Sequence, residues 1–192
     1  MRRPVLAAAP ILCTLLLAAP PQLRAQDEEH RTRCDQTVDL FKKNDAHLEK
    51  FFAGSVGYAI FPSVGKGAFI VGGAAGTGCL YQGGAIIGQA KLAQVTVGLQ
   101  LGGQSYAEVI FFQNDDAIEA FKSNSFELSA QVSAVAAASG ASANAKYRLG
   151  VLVFTLAKTG LMYEASVGGQ KFSFKPLTKD TTSTRDADKP KD

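Results

Sequence analysis

Between residues 27 and 52 the apolar positions fall at helical spacing. Val38, Phe41, Leu48 and Phe52 mark a stripe, with Leu40 and Phe51 beside it. Asn44-Asp45 interrupts the pattern, and Asp45 is suited to cap a second short helix with Glu49 in its first turn. This predicts a helical arm packed on the strand-rich remainder of the chain. From residue 57 the rhythm changes: apolar runs alternate with Gly-Lys-Gly, Gly-Gly and Gly-Thr-Gly up to Gly103. Glycine costs a helix interior about 1 kcal/mol relative to alanine, whereas it suits tight turns and positive φ. Val, Ile, Phe and Tyr fill the gaps, as strands prefer.

The pattern places strands near 56–61, 67–73, 77–82, 89–101 and 105–112, with Gly102-Gly103 as a two-residue hairpin turn. Asn114-Asp115-Asp116 caps a short helix from Ala117 to Lys122, in which Ile118 and Phe121 form an i, i+3 pair. In the stretch 126–145 alanine content favours helix, but Ser129, Gln131 and Ser133 alternate with Ala130, Val132 and Ala134. That period of two predicts a strand to about Ala138. A hairpin of 149–156 and 161–167, turning at 157–160, precedes a last strand at 171–174, and the polar stretch after Pro176 reads as a disordered tail. About eight short strands would leave costly edges in a flat sheet. The expected fold is therefore α+β: a mostly antiparallel, strongly coiled sheet or closed barrel, with the helical arm and one short helix.

The first residues stand apart. Arg2 and Arg3 precede an apolar stretch at 5–19, and Pro20 to Ala25 lead into Gln26-Asp27-Glu28-Glu29. This predicts a secretory signal peptide over 1–25, cut after Ala25. The apolar stretch is shorter than the ~20 residues of a spanning helix. The domain reading is then an arm at 26–53, a glycine-rich β domain at 54–175 and the tail at 176–192. Export implies a periplasmic or cell-envelope location. Removing Arg2, Arg3 and Arg24 leaves seventeen basic against seventeen acidic residues, so broad electrostatic attraction to nucleic acid is not expected. Cys34 and Cys79 remain in the mature chain and either form a disulfide, as an oxidising compartment permits, or stay as buried thiols.

Candidate chemistry is sparse. The histidines His30 and His47 both lie in the arm, so the strand-rich core holds no histidine metal site and no serine–histidine relay. Gly65-Lys66-Gly67 is short of the phosphate-loop spacing, and no Gly-x-Gly-x-x-Gly occurs. Glu108, Glu127 and Glu164 each fall in an expected strand and read as solvent-facing carboxylates. No catalytic group, metal site or cofactor is expected. Lys42, Lys43 and Lys50 lie beside Phe41, Phe51 and Phe52 on the arm, and Lys66 sits between two glycines. Each lysine reads either as a solvated surface charge or as a contact to lipid phosphate.

Several stretches together carry a family resemblance. They are Gly57-Tyr58-Ala59-Ile60-Phe61-Pro62-Ser63-Val64-Gly65-Lys66-Gly67, then Gly98-Leu99-Gln100-Leu101-Gly102-Gly103-Gln104-Ser105-Tyr106, then Ile110-Phe111-Phe112. Phe126-Glu127-Leu128-Ser129-Ala130 and Lys158-Thr159-Gly160-Leu161 come after them. In this order, over about 34–175, they resemble the SYLF domain family. The resemblance implies a non-enzymatic module that binds phospholipid, with the helical arm in membrane contact. Some fungal members bind actin, and eukaryotic members bind phosphoinositides; the leader argues against both here and points to envelope phospholipid. On this reading Phe51 and Phe52 supply apolar contacts, while Lys42, Lys43, Lys50 and Lys66 meet headgroups. The competing readings are a carrier holding a small apolar ligand inside the barrel, and a structural envelope protein with a protein partner.

Overall fold

A computed structural model describes residues 21–68, 71–97, 104–124, 126–128, 132, 134–138, 140–159, 167 and 169–177. The arm is α1 (Pro21–Asn44), a 3-10 turn (Ala46–Leu48) and α2 (Glu49–Gly54). Strands β1 (Gly57–Ala68), β2 (Val71–Gln82), β3 (Ala85–Val97) and β4 (Gln104–Phe112) come next. Then come α3 (Asp115–Lys122), β5 (Ala134–Ala136), β6 (Val151–Thr159) and β7 (Lys171–Pro176). The strands make one sheet in the order β5-β6-β4-β1-β2-β3-β7.

One expected alternative is corrected here and one expectation holds in the main. The sheet is open rather than a closed barrel, since β5 and β7 are its two ends. It is mostly antiparallel, as expected, with one exception: β5 pairs with β6 in parallel while the other ladders are antiparallel. The edges are nonetheless managed by one segment. Leu128 N–H donates to Gln170 O beside β7, while residues 134–136 are themselves the other edge strand, β5, with Ala137 N–H donating to Thr155 O of β6, so the chain from 126 to 138 occupies both ends of the sheet. Of the strand expected there, 134–136 forms, and residues 129–131 and 133 lie outside the described residues.

Strand boundaries also differ from the periodicity. Pro62 does not end a strand. β1 runs through it with a bulge, where the register to β2 shifts between Ile60 and Ser63. A bulge tolerates proline because the missing N–H need not enter the ladder. β6 continues through 157–159, which the pattern assigned to a turn. The rest of that hairpin, the Gly102-Gly103 turn, the first 20 residues and 178–192 lie outside the described residues, and the expected cut after Ala25 falls inside α1.

Both faces of the sheet are buried around β4 and the first half of β1, while positions such as Thr77, Lys91 and Val95 are exposed. One carries Phe61, Leu80, Ile110, Phe112 and Val153 against α3, Leu128, Val132 and Phe172. The other carries Ile60, Tyr81, Val109, Phe111 and Phe154 against Cys34, Val38, Phe41, Leu48 and Phe51 of the arm. Close strand approach needs glycine at 78, where a Cβ would sit 2.1 Å from Ile60 O and 2.7 Å from the Phe61 ring. Gly83 and Gly84, at φ 60° and 79°, make the β2–β3 turn.

Of the two readings for the cysteines, the bonded one holds: Cys34 on α1 is joined to Cys79 on β2. The bond closes a loop of 45 residues, which in the chain-entropy account stabilises the fold by about 4 kcal/mol. The double variant Cys34→Ser/Cys79→Ser is expected to lower the urea-unfolding free energy by about 3–4 kcal/mol, with the arm detaching before the sheet in hydrogen exchange.

Candidate functional site

The arm turns at Asp45, whose backbone is extended and whose Oδ1 accepts the His47 N–H at 3.0 Å. Its Oδ2 accepts the Ser142 N–H at 2.8 Å, so one carboxylate both caps the turn and ties the arm to the loop before β6. Burial opposes this charge, but the hydrogen bonds from Ser142 and His47 outweigh it and bring the Asp45 pKa down to about 2. The 3-10 turn also resets the helical phase. Phe51 therefore takes the buried position that the uninterrupted stripe assigned to Phe52.

This decides where the predicted site residues go. Phe51 is 7% exposed and packs on Phe111, Tyr147 and Phe154 at centroid distances of 5.7, 5.9 and 5.8 Å, so its ring belongs to the core. Phe52 is half-buried, edge-on to Tyr58 at 5.0 Å and to Phe111 at 4.8 Å. Lys42 pairs with Glu49 at 3.1 Å and lies 5.2 Å from the Phe52 ring centre. Lys50 lies 4.8 Å over the Phe51 ring and donates to Ala143 O at 2.9 Å. Lys43 is exposed in the last turn of α1, where a cation also suits the helix dipole.

Lys42 and Phe52 line a cleft of about 380 Å³ together with Tyr58, Tyr81 and Gly84, whereas Lys50 is outside it, over Phe51 and towards the Ala143 loop. Lys66 is not brought to them. Its backbone pairs with Ala74 and Gln104 at the far end of β1, roughly 30 Å along the strand from Gly57, and its side chain lies outside the described residues.

Glu108 overturns its reading as a solvent-facing carboxylate. It is 0% exposed, on the inner face between Tyr106 and Ile110. Gln170 Nε2 donates to Glu108 Oε2 at 3.0 Å and to Tyr106 Oη at 3.3 Å, while Glu108 Oε1 has no hydrogen-bond partner among the described residues. Burial, only partly offset by the Gln170 hydrogen bond, pushes the Glu108 pKa up to about 8. Its neighbours across the ladders are Phe61 and the buried Thr155. The signal was present in the sequence: one charge inside an otherwise continuous apolar run, Tyr106 to Phe112, reads as buried on both faces rather than alternating. Glu127 is exposed and pairs with Lys171 at 3.7 Å, and Glu164 lies outside the described residues.

His30 lies beside the disulfide, with Nε2 3.9 Å from Cys34 Sγ and 3.2 Å from Gly78 O. His30, Cys34 and Cys79 are near enough to ligate one ion, but the sulfurs are spent on each other. Tyr81 donates to Asp35 Oδ1 at 2.5 Å, a second tie between β2 and α1. Burial and the Asp35 carboxylate both push the Tyr81 pKa up.

Comparison with known proteins places this architecture. Residues 93–179 match the family described as "Ysc84: Las17-binding protein actin regulator". Over that stretch the chain is similar to the Ysc84, or SYLF, family. The matched part runs from the end of β3 through β7, while the arm, β1 and β2 precede it. A relative of the same family, "Beta cell expansion factor A" of Aeromonas veronii, is 31% identical over 84 residues. That alignment spans 44% of this chain and 31% of the relative's length.

Two pH effects of opposite sign are expected. Glu108 is protonated in the fold, so its contribution is complete below about pH 4.5 and is lost as pH rises towards about 8. Glu108→Gln is expected to flatten the fall in Tm between those limits, as differential scanning fluorimetry will show. Asp45 is ionised in the fold, so its contribution is present above pH 3.8 and is lost as pH falls through about 2. Asp45→Ala is expected to cost about 1–2 kcal/mol at neutral pH in urea unfolding and to reduce the acid sensitivity.

Proposed function

We propose that this protein is a non-enzymatic phospholipid-binding module that works at a membrane surface of the bacterial cell envelope. The family match over residues 93–179 supports a binding module concerned with lipid or actin, and the leader-like first residues favour an exported protein and hence lipid. The observation that carries the reading is the grouping at α2. Lys42 stands over the half-buried Phe52, both lining a cleft at the arm–sheet boundary, and Lys50 stands over the Phe51 ring on the same short helix. Ammonium groups with apolar surface behind them suit the phosphate and glycerol zone of a bilayer. Phe51 supports that patch from below rather than touching lipid. Among the described residues no helix is long and apolar enough to cross a membrane, so the arm would lie on the surface.

Surface binding is favoured over a carried ligand because Phe61, Phe112, Phe121, Phe126 and Phe172 occupy the inner face with centroid spacings of 5.1–6.1 Å. The test is co-sedimentation of the mature protein with vesicles of phosphatidylethanolamine and phosphatidylglycerol. The triple variant Lys42→Gln/Lys43→Gln/Lys50→Gln is expected to weaken pelleting by about tenfold or more, since each cation near an anionic surface contributes about 1 kcal/mol. Absence of pelleting by the wild type, with retention on actin filaments, would reverse the choice between lipid and actin.

A further inference from the structure

Leu149 is 70% exposed and has a φ of 52°. The next residue, Gly150, has a φ of 77°. Arg148 and Val151 bracket them, each donating its N–H to the other's carbonyl at 2.8 and 3.0 Å. The four residues form a two-residue turn with both central φ values positive, the arrangement that Gly83-Gly84 makes between β2 and β3. Glycine, asparagine and aspartate suit the first central position, and leucine suits it poorly because its Cβ crowds the following carbonyl. Among the described residues the other non-glycine residue at positive φ is Asn124, a type that tolerates the conformation and whose side chain accepts the Phe174 N–H.

A single exposed leucine is unremarkable on most surfaces. Here, however, neither packing nor turn geometry gains from it, and backbone strain combined with apolar exposure points to a contact made with something else. The flanks say what kind. Exposed Lys146 and Arg148 stand on either side of Tyr147, whose ring packs edge-on to Phe51 of α2, and Lys50 reaches the same loop at Ala143 O. The turn is therefore braced against the proposed lipid-contacting element. Asp115 and Asp116 begin α3 next to Asn114, which lies against Gly150, so charge alone does not favour an anionic surface there.

We propose that Leu149 is a membrane-inserting tip. It enters the glycerol–acyl boundary of a phospholipid bilayer while Lys146 and Arg148 meet phosphates, which gives the module a second foot beside α2. The inference rests on the lipid-binding reading above and assigns a contact that lies outside the arm.

The test uses the full mature chain and vesicles of phosphatidylethanolamine and phosphatidylglycerol. Leu149→Asn supplies a residue the turn prefers, so its Tm is expected to equal or exceed that of the wild type while vesicle binding falls at least about threefold. The chain contains no tryptophan, so Leu149→Trp adds a lone fluorophore, whose emission is expected to shift to the blue when vesicles are added. Wild-type pelleting that is weakened by the arm-lysine variant but unchanged in Leu149→Asn overturns this proposal alone. Failure of the wild type to pellet at all overturns the lipid-binding reading and this proposal with it. Loss of binding in Leu149→Asn at full thermal stability supports the tip.

Discussion

Seven consecutive residues of β4, Tyr106 to Phe112, are buried, because the sheet in which it is central is covered on both sides. That double burial is the constraint on which the remaining features depend. A strand with two dry faces cannot alternate apolar with polar, so Tyr58 to Phe61 of β1, Val109 to Phe112 of β4 and Val151 to Phe154 of β6 read as continuous apolar runs. A chain of this length has few helices with which to cover two faces. The inner face is closed by α3 and a segment reaching both sheet edges, and the outer face by the N-terminal arm.

The arm is the more weakly committed of the two covers. Much of α1 is polar and exposed, and its apolar contribution comes from Cys34, Val38 and Phe41. It is held at separate points by specific chemistry: the disulfide to β2, the Asp35–Tyr81 hydrogen bond, and the Asp45 carboxylate on Ser142. Short-range bonds of this kind fix direction where burial alone would leave a helix free to slide. They also set the position of α2, and with it Lys50, Phe52 and the partner of Lys42.

Polar groups placed in a dry interior carry large consequences. Glu108 sits in the inner core with one carboxyl oxygen bonded to Gln170 and the other without a partner among the described residues, and the neutral acid is the form the fold favours. Asp45, hidden from solvent but far less deeply enclosed, keeps its charge because amide hydrogens point at both of its oxygens. Two carboxylates in one small domain thus reach opposite protonation states through depth of burial and the number of donors each is offered. The conformation of Leu149 is a third such cost, and it lies at the surface, where a partner can use it.

By itself the sequence determined the local elements: the helical arm with its break at Asp45, the glycine-punctuated strands, the Asn114 cap on α3 and the family resemblance. These are legible because they depend on spacing and on single-residue chemistry. Only the tertiary structure decided that the sheet stays open, that Pro62 sits in a bulge, that Cys34 bonds Cys79, and that Lys66 is remote from the arm. It alone decided that Glu108 is buried and that Phe51 rather than Phe52 faces the core. The reason is common to all of these. A periodic pattern tells a strand from a helix, but which face is dry, and which distant residue meets it, depends on what packs there from elsewhere in the chain.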